Sequence, residues 1–118
     1  KVVLMKNNIL PPVKRGDTWT FTFSWKNQNT PIDLTGCSAR MQIRDKRTGE
    51  MFAESSTVDN SITIDGLAGG VSVEFSSDKT SFIDPGTYYS DLEITFPVSG
   101  RVQSSGTVII IVQGDITR

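Results

Sequence analysis

The sequence predicts an all-β fold, an antiparallel β-sandwich of seven to eight short strands. Three observations predict it. Apolar residues recur with period two rather than the 3.6 of a helix. Clusters of Gly, Pro, Asn and Asp interrupt the chain about every ten residues. The chain has 118 residues, 36% of them hydrophobic and 21% charged, which is room for one domain and one core.

Residues 1–13 read as an N-terminal arm or edge strand, and residues 14–118 as the domain. Pro11-Pro12 stiffens the chain after residues 2–9. Val2, Leu4 and Ile9 of this arm are candidate contacts to a partner. Residues 18–25 alternate without a fault. Trp19, Phe21, Phe23 and Trp25 point one way, and Thr18, Thr20, Thr22 and Ser24 the other. A helix turns roughly 100° per residue and could not gather those aromatics on one face. They are expected to be core, with Trp25 the one nearer solvent, because Trp is seldom fully buried.

Residues 38–44 place Ala39, Met41 and Ile43 inward and Arg40, Gln42 and Arg44 outward. In residues 50–54, Met51 and Ala53 share a face. Ile62 and Ile64 do so in 61–64, and Val71, Val73 and Phe75 in 71–75. Residues 77–82 are the one helical piece, with Ser77 as its cap and Asp78 in its first turn. Residues 87–96 set Tyr88, Ser90, Leu92, Ile94 and Phe96 against Tyr89, Asp91, Glu93 and Thr95. The last long strand lies within residues 101–113. Its Val108-Ile109-Ile110-Ile111-Val112 run hides the alternation, as a strand covered on both faces would. Strands with one apolar face each must bury those faces against each other, so two sheets are expected to pack face to face, immunoglobulin-like in broad outline. A small closed barrel is the alternative.

Composition excludes several function classes. The sequence has no His, which removes the commonest general base and transition-metal ligand. One Cys, Cys37, allows neither an internal disulfide nor a Cys-based zinc site. The net charge of -1 builds no field for nucleic acid or an anionic membrane. The longest apolar run, residues 108–112, is far short of the roughly 20 residues a membrane helix needs. No signal-peptide pattern is visible. The chain opens on Lys1, and an initiator Met is seldom removed before a large side chain, so residues are expected upstream. No cofactor and no enzymatic activity are expected.

Several features invite a functional reading beside a plainer one. Residues 31–36 could be a recognition loop. The preferred reading has Asp33 and Thr35 bonding nearby backbone, Leu34 plugging the end of the core and Gly36 taking an unusual φ. Arg15-Gly16-Asp17 matches the tripeptide that integrins read, but it stands where a turn leads into a strand. Arg40, Arg44, Lys46 and Arg47 form a basic cluster that could meet an acidic partner patch. It lacks the interleaved aromatics of a single-strand nucleic-acid platform. Asp91 and Glu93 share a strand face, where an exposed polar face is a better account than glycosidase chemistry and a weak cross-strand pairing with Arg40 and Arg44 is a further option. Asp59, Asn60 and Asp65 match no EF-hand spacing and read as turn formers. Cys37 has no His partner and reads as a small half-buried residue. Trp25 and Tyr89 are the candidates for sugar stacking.

Two stretches carry a resemblance. Asp84-Pro85-Gly86-Thr87-Tyr88-Tyr89-Ser90 resembles the approach to strand F of immunoglobulin domains. The resemblance puts Tyr88 at a tyrosine corner, its hydroxyl bonding backbone upstream, and Ser90 in the place of the second cysteine. The other runs from Arg15-Gly16-Asp17-Thr18-Trp19-Thr20-Phe21 and Trp25-Lys26 through Pro31-Ile32-Asp33-Leu34-Thr35-Gly36 and Ala39-Arg40-Met41-Gln42-Ile43-Arg44. It continues through Ile62-Thr63-Ile64-Asp65-Gly66 and Gly70-Val71-Ser72-Val73 to Gly86-Thr87-Tyr88-Tyr89-Ser90-Asp91-Leu92-Glu93-Ile94. In order and spacing these resemble a family of small tailed-phage structural proteins, similar to the N-terminal domain of the siphophage upper baseplate protein. The resemblance spans residues 14–112. Its fold-defining positions here are Trp19, Phe21, Phe23, Leu34, Gly36, Tyr88 and Leu92. It implies a non-enzymatic, immunoglobulin-like adaptor in a phage tail or baseplate, present in multiple copies and assembled in the bacterial host cytoplasm. Its partners would be other virion proteins, met in part through Val2, Leu4, Ile9, Arg40 and Arg44. The alternative is a carbohydrate-binding or adhesin module of similar fold.

Overall fold

The computed structural model describes residues 9–114, and they form an all-β fold. In chain order the elements are β1 (Val13–Lys14), β2 (Trp19–Ser24), β3 (Lys26–Asn27), β4 (Thr30–Pro31), β5 (Ser38–Asp45), β6 (Met51–Ser56), β7 (Ile62–Asp65) and β8 (Gly70–Phe75). After one helical turn, α1 (Ser77–Thr80), come β9 (Gly86–Thr95), β10 (Val102–Ser104) and β11 (Val108–Gln113). The larger sheet runs β1-β11-β9-β5-β6, with β10 also paired to β9. The smaller runs β2-β8-β7, and β3 and β4 make a separate hairpin. All pairs are antiparallel except β1 with β11.

The apolar faces of the two larger sheets share one core cluster. Trp19, Phe21 and Phe23 of β2 are buried and alternate with exposed Thr20, Thr22 and Ser24. Trp19 and Phe21 meet Phe75 edge-on, with ring centroids 6.4 Å and 6.3 Å away. Met41, Ile43, Leu92, Ile94 and Ile110 supply the opposing face. Leu34 is fully buried, and its N–H donates to the Gly66 carbonyl at 2.8 Å. Gly36 follows at φ +79, a left-handed conformation that favours glycine. Asp33 accepts from the Thr35 N–H at 2.9 Å and from the Thr35 hydroxyl at 2.5 Å. The Tyr88 hydroxyl donates to the Asp84 carbonyl at 2.6 Å, and burial raises its pKa, assisted by the nearby Asp84 and Asp45 charges.

Buried polar groups tie the sheets together where no disulfide does. The Ser55 hydroxyl of β6 donates to the Glu74 carbonyl of β8 at 2.5 Å. The Trp25 indole N–H, just past β2, donates to Gln103 Oε1 of β10 at 3.2 Å. The Ser90 hydroxyl is also satisfied, donating to the Gln42 carbonyl at 2.5 Å.

The structure differs from the sequence expectations at five places. Trp25 is fully buried rather than near solvent. Its N–H donates to Gly69 O at 2.7 Å and its carbonyl accepts from Ile32 N–H at 2.9 Å, so flanking loops close over it. Gly69, at φ +66, permits this, because a Cβ there would stand 2.5 Å from the Trp25 oxygen. Met51 is 46% exposed although Ala53 is buried. Ile43 faces Ala53 and Arg44 faces Met51, so Phe52 is an extra residue that breaks the alternation. Phe52 instead packs edge-on against Tyr88 at 5.5 Å. The helical piece is one turn, capped by Ser76 rather than Ser77 and without a side-chain bond at the cap.

The C-terminal strand is two strands. Ser104 pairs with Glu93 and Val108 with Ser90, so three residues lie opposite two. Parity flips across that extra residue. Gln103 turns inward in β10, whereas Val108, Ile110 and Val112 are buried in β11. Finally, eleven strand segments appear among the described residues, because this break and three two-residue pieces add to the long strands.

The N-terminal stretch lies along β11. Ile9 bridges Ile109 in parallel, Leu10 is buried with its N–H donating to Ile109 O at 2.9 Å, and Val13 pairs with Val112. Ile9 is 48% exposed, and Val2 and Leu4 lie outside the described residues.

Leu34→Ala is expected to lower the unfolding free energy in urea by about 2–5 kcal/mol, and Leu34→Asp by more. Tyr88→Phe is expected to cost about 1 kcal/mol, the worth of one buried hydrogen bond. Wild-type midpoints for both variants would contradict this account of the core and corner.

Candidate functional site

The outward face of β5 and β9 is polar and interlinked. Register sets Arg40 opposite Glu93, Gln42 opposite Asp91 and Arg44 opposite Tyr89. Arg40 Nε stands 3.0 Å from Glu93 Oε1, and that contact holds the guanidinium still more firmly in its charged form. Arg44 donates to Gln42 Oε1 at 2.7 Å and to the Gly49 carbonyl at 2.8 Å. Gln42 donates to Glu54 Oε2 at 2.8 Å, and the Ser104 hydroxyl to Asp91 Oδ2 at 3.2 Å. Period two put these side chains on one face, and antiparallel pairing brought the basic strand against the acidic one.

This face carries a shallow depression of about 340 Å³ lined by Arg40, Gln42, Arg44, Tyr89, Asp91 and Thr107. Tyr89 stands at its rim, 37% exposed. Arg40 and Arg44 are already engaged by Glu93, Gln42 and Gly49, so the face offers matched hydrogen-bonding groups rather than a free cationic patch. Lys46 and Arg47 belong to the β5–β6 turn and line a different depression, of about 290 Å³, with Asp45, Pro85 and Tyr88. The Thr48 N–H, then the Arg47 N–H, bond Asp45 and hold its carboxyl below the usual range.

The remaining candidates resolve into local structure. Arg15 Nε donates to Ser81 O at 2.9 Å, and its guanidinium lies 3.6 Å from Asp84. Gly16 has φ +87, and the Asp17 carbonyl accepts from the Thr80 hydroxyl at 2.6 Å. The tripeptide is thus tied into the turn before β2. Asn60 has φ +66, and Asp59 accepts from Ser61 N–H at 3.0 Å and from the Ser61 hydroxyl. Among the described residues, no group of three or more His, Cys, Asp or Glu could hold a metal ion. Cys37 is half-buried, and burial, then the Asp33 charge, pushes its thiol pKa up, away from the nucleophilic thiolate. Trp25 is buried and offers no stacking surface.

The sequence reading gave residues 1–13 as an arm or edge strand, but it assigned no residues to the other sheet edges. On β6, the Thr57 N–H donates to Ala39 O, so alternation turns the backbone of Glu54 and Ser56 to the outer edge. Side chains fill it. Lys79 Nζ donates to Glu54 O at 2.6 Å, and the Ser61 hydroxyl bonds both the N–H and the carbonyl of Ser56. The β11 edge is covered by residues 9–14, which include Pro11-Pro12. The β7 edge is four residues long. Among the described residues, the β2 edge has none of these devices. It is six residues long, in unbroken register with β8, and holds no charge, Pro or bulge. Its outward side chains, Thr20, Thr22 and Ser24, were legible in the sequence as a polar face without a charged residue.

No protein-family model matches the chain, and no curated protein matches it.

The Asp59 carboxyl is held at about 2, first by the Ser61 hydroxyl, then by the Ser61 N–H, with Lys79 adding less. The folded value lies below the unfolded one of about 4. Its stabilising contribution is therefore present above about pH 4 and lost as pH falls through about 2. Carboxyl-detected NMR titration is expected to place Asp59 near 2 in the wild type and nearer 4 in Ser61→Ala. Identical titrations would remove Ser61 as the cause.

Proposed function

We propose that this chain is an immunoglobulin-like structural protein of a tailed-bacteriophage virion. It acts without catalysis, as an adaptor in the tail or baseplate that attaches fibres or decorates the particle through protein–protein contacts. One observation carries the reading: the residues that bear the family resemblance are the ones that build the core and corner. Trp19, Phe21, Phe23, Leu34 and Leu92 are buried, Gly36 has φ +79, and Tyr88 bonds the Asp84 carbonyl. The strand order supports the immunoglobulin-like part. The order β11-β9-β5-β6 follows G-F-C-C′ of a variable-type domain, and β2-β8-β7 follows B-E-D. In this reading β10 and β11 are one interrupted G strand, which leaves seven main strands plus the short β1.

The mechanism is contact by sheet edge and sheet face, multiplied by copy number. Contacts that are weak singly become durable when many copies sit in a symmetric particle. The polar face of Arg40, Gln42, Arg44 and Tyr89 gives such a contact directional hydrogen bonds. The same face supports a second reading, a carbohydrate-binding module, since Tyr89 rims a depression with polar groups.

Mass spectrometry of gradient-purified particles from the source lysate tests the proposal. The chain is expected at a fixed ratio to the major capsid protein. Recovery only as free protein, with loss of glycan binding in Tyr89→Ala, would replace the virion reading with the carbohydrate one.

A further inference from the structure

We infer that the open edge of β2 is a self-pairing surface, on which two copies of this chain join antiparallel across a two-fold axis. The inference stands on the sheet edges alone and holds whether or not the chain belongs to a virion. The Trp25 N–H donates to Gly69 O, in step with the β2–β8 register. In an antiparallel ladder the bonded pairs alternate. The backbone groups of Trp19, Phe21 and Phe23 therefore turn toward β8, and those of Thr20, Thr22 and Ser24 toward the edge. Among the described residues no strand pairs with that edge. It presents N–H and C=O groups that want partners, and among the described residues it is the one long edge of the two larger sheets that nothing blocks.

The strand's own sequence identifies a second copy as the occupant. With Thr22 opposite Thr22 of the other copy, Thr20 falls opposite Ser24, and the edge-facing groups of both strands exchange about six backbone hydrogen bonds. This register stacks Thr on Thr and Thr on Ser along the solvent face, a favourable cross-strand pairing. It sets Phe21 beside Phe23 on the core side and opposes no like charges, since β2 has none. The same residues serve both partners, as an isologous contact requires. The two three-stranded sheets then run on as one.

Sedimentation of the full chain across a concentration series tests this. The wild type is expected to reach a dimer. Thr22→Pro removes an N–H that the chain does not use internally, and edge strands tolerate Pro there. It is expected to stay monomeric while keeping its β-sheet circular dichroism. If that variant misfolds, Thr22→Lys decides, since two ammonium groups across the axis are expected to weaken the dimer at least tenfold at low salt. In a Cys37→Ser background, Thr22→Cys is expected to form a disulfide-linked dimer, because paired Cα atoms lie within the span of such a bond, and Thr20→Cys is not. A wild type that stays monomeric at millimolar concentration would overturn the inference. So would a dimer unchanged by both folded Thr22 variants, or cross-linking through Thr20→Cys alone.

Discussion

Strand β2 and its strict alternation are the constraint on which the rest of this molecule depends. A strand sends successive side chains to opposite faces and successive backbone groups to opposite edges. In β2 the first alternation drives Trp19, Phe21 and Phe23 into the core, where Trp19 and Phe21 meet Phe75 of β8. Each such aromatic contributes on the order of 2–3 kcal/mol of burial, so β2 is a main apolar contribution of the small sheet to the shared core. The supports around β2 follow from that. The Trp19 indole N–H donates to the Lys14 carbonyl at 2.7 Å, the Thr80 hydroxyl to the Asp17 carbonyl, and the Trp25 indole N–H to Gln103. A buried polar group needs such a partner, and among the described residues no buried side-chain nitrogen or oxygen lacks one.

The second alternation decides how the molecule meets others. Sheets that do not close leave edges, and an unblocked edge pairs with whatever strand it meets. The chain answers this at β6 with Lys79, Ser61 and a bulge, and at β11 with its own N-terminal stretch. On the polar face of β5 and β9 the guanidiniums are held by Glu93, Gln42 and the Gly49 carbonyl, which leaves matched hydrogen-bonding groups rather than free charge. Against that pattern the edge of β2, left uncovered among the described residues, is a difference in design rather than a shared property of small sheets.

Sequence alone yielded most of the strands, because period two is unambiguous where Thr or Ser alternates with aromatics, as in residues 18–25, or Arg and Gln with Ala, Met and Ile, as in 38–44. It failed where a single extra residue intervened. The bulge at Phe52 exposed Met51, and the extra residue between Ser104 and Val108 reversed the parity of a run too uniformly apolar to betray it. Trp25 was misjudged because its cover comes from Gly69 and Ile32, residues distant in sequence whose approach depends on a missing Cβ. The Arg40–Glu93 pair was legible as two polar strand faces, but the engagement of Arg44 by Gln42 of its own strand and by the Gly49 carbonyl of the following turn depends on the path of that turn, which period two does not report. Sheet edges left no mark on hydrophobic periodicity, which reports faces only.

Amide hydrogen exchange, followed residue by residue at a dilution where the chain is monomeric, tests the placement of β2 most directly. The account predicts a sawtooth within one strand: slow exchange at Phe21 and Phe23, whose N–H groups bond β8, and fast exchange at Thr20, Thr22 and Ser24, whose N–H groups face the open edge. Uniform protection along 19–24 would mean that the chain covers this edge itself, and would contradict the account.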